Sequence, residues 1–297
     1  MPPHISACRR VTQLPYRVTS PPLMKRVWLI TNPHSGSTSE EKCEALASLF
    51  AEPHAEIVGR TTFPQDELPR VAELRSAGAE VVALFAGDGT INTAARLYDD
   101  WEGAMLILPG GTMNMLAKQL HGEGEPHEIV ARSFVGHRKV RLPLIEAGEH
   151  RAFVALIIGP AAAWAGAREA VRYGQWGRML RAARVAWART FSRGISVFDP
   201  AGRRGRHRAA VFVPTGNGME ITSVRADGWF EILKLGWEFM VGDWHRAPGV
   251  CDSRSHSAVV VGTRAIHGLF DGEGVKLTSP VKVTSGLSRL RFIATSA

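Results

Sequence analysis

No apolar run in the 297 residues approaches the ~18 to 20 needed to cross a bilayer as a helix, so a membrane-spanning helix is not expected. Cysteine is scarce: Cys8, Cys43 and Cys251 are odd in number and have neither disulfide-framework nor zinc-ligand spacing, which fits a reducing, cytoplasmic setting. There is no GxxxxGK[ST], which excludes a Walker-type phosphate loop and its lysine. Residues 1–23 contain no acidic residue, show no periodicity and lack the apolar core of a signal peptide. They read as a disordered tail, and Met24, directly before the strand-like Lys25 to Ile30, is a candidate start of translation beside Met1. Acid is also in deficit overall, 28 residues against 36 Lys and Arg, so the net charge of +8 favours a polyanionic neighbour without choosing among nucleotide, nucleic acid and acidic membrane.

What is present centres on Val81 to Leu120. Two apolar strand-like runs, Val81 to Ala86 and Met105 to Leu108, each stop at a glycine turn and pass into a segment with helical spacing of apolar residues. The first turn is Gly87-Asp88-Gly89-Thr90, followed by Ile91, Ala94, Ala95 and Tyr98; the second is Pro109-Gly110-Gly111-Thr112, followed by Met113, Leu116, Ala117 and Leu120. Two parallel strands would thus aim their carboxyl ends and two helix N-termini at one crevice. Such a place binds anions, because first-turn N–H groups are unpaired and glycine admits a phosphate close to the backbone. Thr90 and Thr112 are expected to cap the helices or to donate a hydroxyl to a phosphate. Asp88 repels an anion unless a cation lies between them or it serves the chemistry, and a magnesium nucleotide supplies such a cation.

Upstream, a strand over 27–31 ends in Asn32-Pro33-His34-Ser35-Gly36, and Cys43, Leu46, Ala47 and Phe50 keep helical spacing after it. A short strand near Ala55 to Val58 precedes Thr61-Thr62, and Glu67 to Ala77 reads as the next helix. Strand alternating with helix predicts an α/β domain with a parallel sheet over residues 24–140. Beyond that, short β-rich runs such as Phe153 to Ile158, Ala209 to Val213, Phe230 to Leu233, Ala258 to Val261 and Val281 to Val283 alternate with glycine turns. They predict an antiparallel β-sandwich over 141–297, whose last strand is open to returning to the first domain.

NPHSG (32–36), AGDGTIN (86–92) and PGGTMN (109–114), in this order and spacing, resemble the catalytic domain shared by diacylglycerol kinases, sphingosine and ceramide kinases and their bacterial lipid-kinase relatives. The resemblance extends from Lys25 to the end of the chain. It implies a nucleotide-binding domain like that of NAD kinases and phosphofructokinases, a β-sandwich that receives lipid, and transfer of the γ-phosphoryl group of ATP, with Mg2+, to a lipid hydroxyl. Carried over residue by residue, it places Asn32, Pro33, His34, Ser35 and Gly36, Thr61 or Thr62, then Gly87, Asp88, Gly89, Thr90, Ile91, Asn92 and Thr93, and Thr112 at the nucleotide. Asp88 would organise magnesium through water. Phe270-Asp271-Gly272-Glu273 resembles the segment that supplies the base, with Glu273 the first choice and Asp271 its positioning partner or the alternative. A structural divalent ion is implied at Asp227, with the backbones of Val224 and Trp229. Two positions depart from the family pattern: Ala86 replaces the first glycine of the usual GGDGT, and Met115 stands where PxGTxND has aspartate.

Trp164 to Arg193 differs from the rest, with seven arginines against the single acid Glu169 and with Trp164, Trp176 and Trp187 among alanines. This composition suits either an ordinary arginine-rich helix or peripheral contact with the anionic inner face of a membrane, and no nucleic-acid motif accompanies it. Exposed sandwich edges leave room for a homodimer. The rival functions are an NAD kinase-like enzyme, which shares GDGT, and a regulatory protein that binds nucleotide or lipid without catalysis.

Overall fold

Six consecutive apolar residues, Val81–Ala86, are stable as a strand only when both faces are covered, and this strand lies within the first sheet with every residue buried. The computed structural model describes residues 26–36, 38–50, 55–112, 114–159, 195–198, 204–207, 209–224, 250–262 and 266–296. In chain order the first part comprises β1 (Arg26–Thr31), α1 (Glu40–Leu49), β2 (Glu56–Thr62), α2 (Val71–Ser76), β3 (Val81–Ala86), α3 (Asp88–Leu97), β4 (Ala104–Pro109), α4 (Met115–His121), α5 (Pro126–Val135) and β5 (Arg138–Val140). On one face of β3, Val82, Leu84 and Ala86 share a core with Ile91, Ala94 and Ala95 of α3 and Leu116, Ala117 and Leu120 of α4. On the other, Val81, Ala83 and Phe85 meet Cys43, Leu46 and Ala47 of α1 and Ile129 and Val130 of α5.

The second part comprises β6 (Pro143–Ala147), β7 (His150–Ala152), β8 (Leu156–Ile158), β9 (Ile195–Phe198), β10 (Arg204–His207), β11 (Ala209–Thr215), β12 (Gly218–Val224), β13 (Val250–Ser255), β14 (Ser257–Val261), β15 (Ile266–Phe270), β16 (Glu273–Leu277), β17 (Val281–Leu287) and β18 (Arg291–Ala294). The first sheet has the order β2-β1-β3-β4-β18-β5. Its first five strands are parallel, and β5 joins β18 antiparallel. Two further six-stranded sheets, β10-β9-β14-β17-β6-β7 and β13-β12-β11-β8-β15-β16, are antiparallel. They enclose one core, to which Ile145, Val197, Val260 and Val283 come from one sheet and Ile158, Phe212, Ile221 and Phe270 from the other. An α/β unit with a mostly parallel sheet, followed by antiparallel sheets packed face to face, is the architecture the hydrophobic patterning predicts.

Three local readings change. The helix expected over 67–77 is only Val71–Ser76, because Pro69 disfavours helical backbone at the residue before it, and Arg70 serves as N-cap with its N–H donating to Glu73 Oε2 at 2.6 Å. The strand expected near 55–58 continues to Thr62, since β2 pairs with β1 along its whole length and Gly59 makes room for the Trp28 ring. The run 153–158 is a strand only over 156–158; the N–H groups of Phe153, Val154 and Ala155 are taken by the Asp271 carboxylate. The run 230–233 and the arginine-rich segment 164–193 lie outside the described residues.

The two units share apolar surface. Leu142, Leu144, Phe153 and Phe292 belong to the same core as α3 and α4, and the Phe153 and Phe292 rings meet edge to face at 5.4 Å. None of the described helices is long and apolar enough to cross a membrane.

Candidate active site

Three loops leave the carboxyl ends of adjacent strands and touch one another. After β1, the Asn32 N–H donates to Phe85 O at 3.0 Å, carrying the pairing with β3 beyond the strand. The loop then folds back on itself. The His34 N–H donates to Asn32 Oδ1 at 3.0 Å, and Thr38 Oγ1 lies 2.5 Å from the carbonyls of both Asn32 and Ser35. Pro33 is buried in this loop, while His34 is exposed and its Nε2 lies 3.3 Å from Gln65 Nε2. Gly36 adopts a φ of 41°, and a Cβ there would stand 2.7 Å from the Gly111 carbonyl carbon. A Cβ on Gly87 would meet Ser35 Oγ at 2.6 Å, and one on Gly111 would meet Gly87 Cα at 2.9 Å. Glycine is therefore required here first for three backbones to converge, a packing demand that sequence spacing does not reveal. Ala86, buried at the end of β3, tolerates its methyl; the tight neighbour there is Gly110, whose own Cβ would lie 2.9 Å from Ala86 N.

Gly87 is the N-cap of α3 and no side chain caps it. The first ladder bond runs from the Ile91 N–H to Gly87 O, which leaves the first-turn N–H groups of Gly89 and Thr90 without an intrahelical acceptor. Thr90 is buried, with its hydroxyl 3.5 Å from Asn32 Nδ2, and since Gly87 holds the N-cap position Thr90 is not the cap, the first of the two roles expected of it. Nor is Thr112, because the N-cap of α4 is Asn114. Asn114 has a φ of 51°, a conformation asparagine tolerates well, and its Oδ1 accepts the Gly111 N–H at 2.7 Å. Asn114 and Thr38 are the loop-fixing residues that sequence reasoning missed; an asparagine directly before a helical run was the available signal. Ile91 is buried in the core, Asn92 is half-buried, and exposed Thr93 returns its hydroxyl to Gly89 O.

Asp88 faces α4. Burial pushes its carboxyl above the usual range, opposed by hydrogen bonds from the backbone of Asn114 and Met115 and from its own N–H. Met115, the family departure, thus contributes its backbone to Asp88 from the first position of α4. Thr61 is buried, its hydroxyl accepting from Trp28 Nε1 at 3.0 Å, and the Thr62 N–H donates to Asp66 Oδ2 at 2.8 Å. Both threonines close the end of β2, where Thr61 is engaged through its hydroxyl and Thr62 through its backbone N–H.

The antiparallel sheets bring the remaining carboxylates. Asp271 and Gly272 form a two-residue turn between β15 and β16, with φ of 46° and 97°. Asp271 is 6% exposed, and its oxygens accept from the N–H groups of Phe153 at 2.7 Å, Val154 at 2.9 Å and Ala155 at 2.9 Å. Burial pushes its pKa up to about 6 against these three bonds, and Asp88 pushes in the same direction. Glu273 heads β16 and leans across to α3, where its Oε1 lies 1.9 Å from the place a Cβ on Gly89 would take. Burial of its carboxylate and the charge of Asp88 raise its pKa. One unit thus supplies a helix N-terminus with free first-turn N–H groups and the other a carboxylate directly over it.

Gly89→Ala tests this contact. The flexible Glu273 side chain has to move away while the helix gains a residue of better propensity. Turnover should fall with no loss of melting temperature, and an alanine variant with wild-type turnover would contradict the placement of Glu273.

Among the described residues no group of three or more His, Cys, Asp and Glu side chains could hold a metal ion. Magnesium needs only one or two carboxylates together with phosphate and water, and Asp88 and Glu273, which meet beside Gly89, are the residues that could hold it. Of the second ion site, Val224 is the last residue of β12, while Asp227 and Trp229 lie outside the described residues.

A parallel α/β sheet with three converging loops is thus answered by a carboxylate from an antiparallel sandwich. Residues 26–146 match the family model described as the diacylglycerol kinase catalytic domain. The chain is similar in fold to solved structures from Bacillus anthracis str. Sterne. One is a crystal structure of a diacylglycerol kinase, 13% identical, covering 91% of this chain and 97% of its own, with a TM-score of 0.61. A second crystal structure, of a candidate diacylglycerol kinase, is 14% identical over the same shares with a TM-score of 0.60. Among curated proteins nothing matches.

Proposed function

We propose that the protein transfers the γ-phosphoryl group of ATP to the hydroxyl of a lipid, diacylglycerol-like or sphingoid. The observation that carries the reading is Glu273 standing over Gly89: an acceptor for a proton placed against a helix N-terminus suited to a phosphate. In the reaction the lipid oxygen attacks the γ-phosphorus, the bond to the β-phosphate oxygen breaks, and ADP leaves. The hydroxyl proton passes to a carboxylate, and Glu273 has the geometry for it, because Asp271 has both oxygens committed to backbone N–H groups. Asp271 positions; Glu273 accepts.

The rest is alignment and charge neutralisation. The first turn of α3 would face the phosphates, and the Asn32–Gly36 loop would form a second wall. Asp88, with Glu273 nearby, would hold magnesium, which when bound neutralises charge developing on the phosphates. The raised pKa of Glu273 places the acidic limb of a rate profile above the ordinary glutamate range, since the base works only once deprotonated. The lipid would enter from the sandwich side at the inner face of a membrane.

The test is radiolabelled ATP with Mg2+ and an extracted lipid pool, comparing the wild type with Asp88→Ala. A labelled lipid that depends on Asp88 supports the reading. Label transferred to NAD instead would mark an NAD kinase-like enzyme, and bound nucleotide with no transfer would mark a regulatory protein.

A further inference from the structure

The geometry points to Arg151 as a positioning residue: by pairing with Asp99 it holds both ends of α3 against the antiparallel sheets and so sets how closely Glu273 stands to Gly89. Its catalytic consequence rests on the kinase reading; the clamp itself does not.

α3 spans 10 residues, about 15 Å. Its first turn carries Gly89, beneath Glu273 of β16. Just past its other end, Asp99 Oδ2 lies 2.9 Å from an Arg151 Nη1 that belongs to β7, in the other antiparallel sheet. Arg151 does not reach out unsupported. Its Nε donates at 3.0 Å to Oε1 of Glu146, its cross-strand partner on β6, which orients the guanidinium toward α3. The Asp99 and Arg151 side chains are only 17% and 28% exposed, so this pair is less screened than a surface bridge. A second link between the same regions, Arg289 to Asp100 at 2.8 Å, is exposed at both ends, 73% and 78%. It carries little of the constraint.

These contacts close a ring. From Arg151 the chain reaches Phe153 to Ala155 within a few residues, and their N–H groups are held by Asp271. Asp271 is followed by Gly272 and then Glu273, which returns to Gly89 at the start of α3. Apart from the close approach of Glu273 to Gly89, every other link is covalent, a helix, or a buried carboxylate–amide bond. The Asp99–Arg151 pair is the one ionic link between the units in this ring, and loosening it frees the far end of α3. A displacement of about 1 Å at a reacting group can cost on the order of 10²-fold in rate.

The experiment compares two isosteric changes at the same arginine. Asp99→Asn removes the charge that spans the units, and Glu146→Gln removes the one within the sandwich. Expected for Asp99→Asn is a fall in kcat of roughly 10- to 100-fold with the KM for ATP unchanged, while Glu146→Gln stays within about twofold and Asp99→Glu restores most of the loss. In substrate-free protein, amide exchange over Gly87 to Thr93 should quicken in Asp99→Asn and not in Glu146→Gln. A purely structural role would move melting temperature and kcat alike in both variants, and that result, or unchanged exchange in both, overturns the inference. Should the wild type transfer no phosphate to lipid, the kinase reading fails, and the exchange comparison alone decides the clamp.

Discussion

Glu273→Gln is expected to lower kcat by about 10²- to 10⁴-fold while the KM for ATP stays within roughly twofold. Glutamine keeps the length and one oxygen of the side chain, so the contact with α3 survives; what is lost is the ability to accept a proton. Nucleotide affinity should hold, or rise slightly, because a negative charge is removed from beside the phosphate site. Steady-state kinetics with lipid saturating separates the two constants. A variant within about fivefold of wild-type turnover would assign the proton to another acceptor. Asp271 could then take that role only by giving up its hydrogen bonds to the Phe153, Val154 and Ala155 amides.

Asp271→Ala should be the most destabilising single change near the site. It leaves three N–H groups without their acceptor, each costing about 1 to 3 kcal/mol where water cannot reach, and puts alanine at a φ of 46°. A loss of at least ~3 kcal/mol is expected, a fall in melting temperature on the order of 10 °C. Asp271→Asn should lose less, because asparagine accepts that φ and keeps one oxygen. Asp271 also gives stability a distinctive pH dependence. Its folded pKa of about 6 exceeds the unfolded value of 3.8, so the stability it contributes is complete below 3.8 and is lost as pH rises through 6. Melting curves between those limits should show a shallower slope for Asp271→Asn than for the wild type, and equal slopes would mean that the carboxyl does not titrate there.

The α/β unit was legible because its strongest signal is crude: Val81 to Ala86 and Met105 to Leu108 are unbroken apolar runs, which a strand covered on both faces demands. The glycines after them were legible as turns but not for their reason, since Gly36, Gly87 and Gly111 answer to one another across loops far apart in the chain. Asp271 shows the limit most clearly. Two carboxylates flanking a glycine look alike in sequence, and only tertiary contact with amides 116 to 118 residues away separates the one that is committed from the one that faces α3. The Glu67 to Ala77 reading began the helix too early for a local reason, the effect of Pro69 on the residue before it, which outweighed helical spacing.

The position of β18 has a consequence for how the molecule is made. This strand, Arg291–Ala294, lies between β4 and β5 in the first sheet, and the Thr295 and Ser296 N–H groups bond to Leu120 O at the end of α4. Growing chains tend to fold from the N-terminus. Here the first sheet keeps a gap while the strands of the sandwich are added, and it closes only when β18 follows them. Until then Met105 and Val140 lack their partner Phe292. The sheet that carries Asp88 just beyond the end of β3 is therefore closed only after β16, the strand that carries Glu273, has been made.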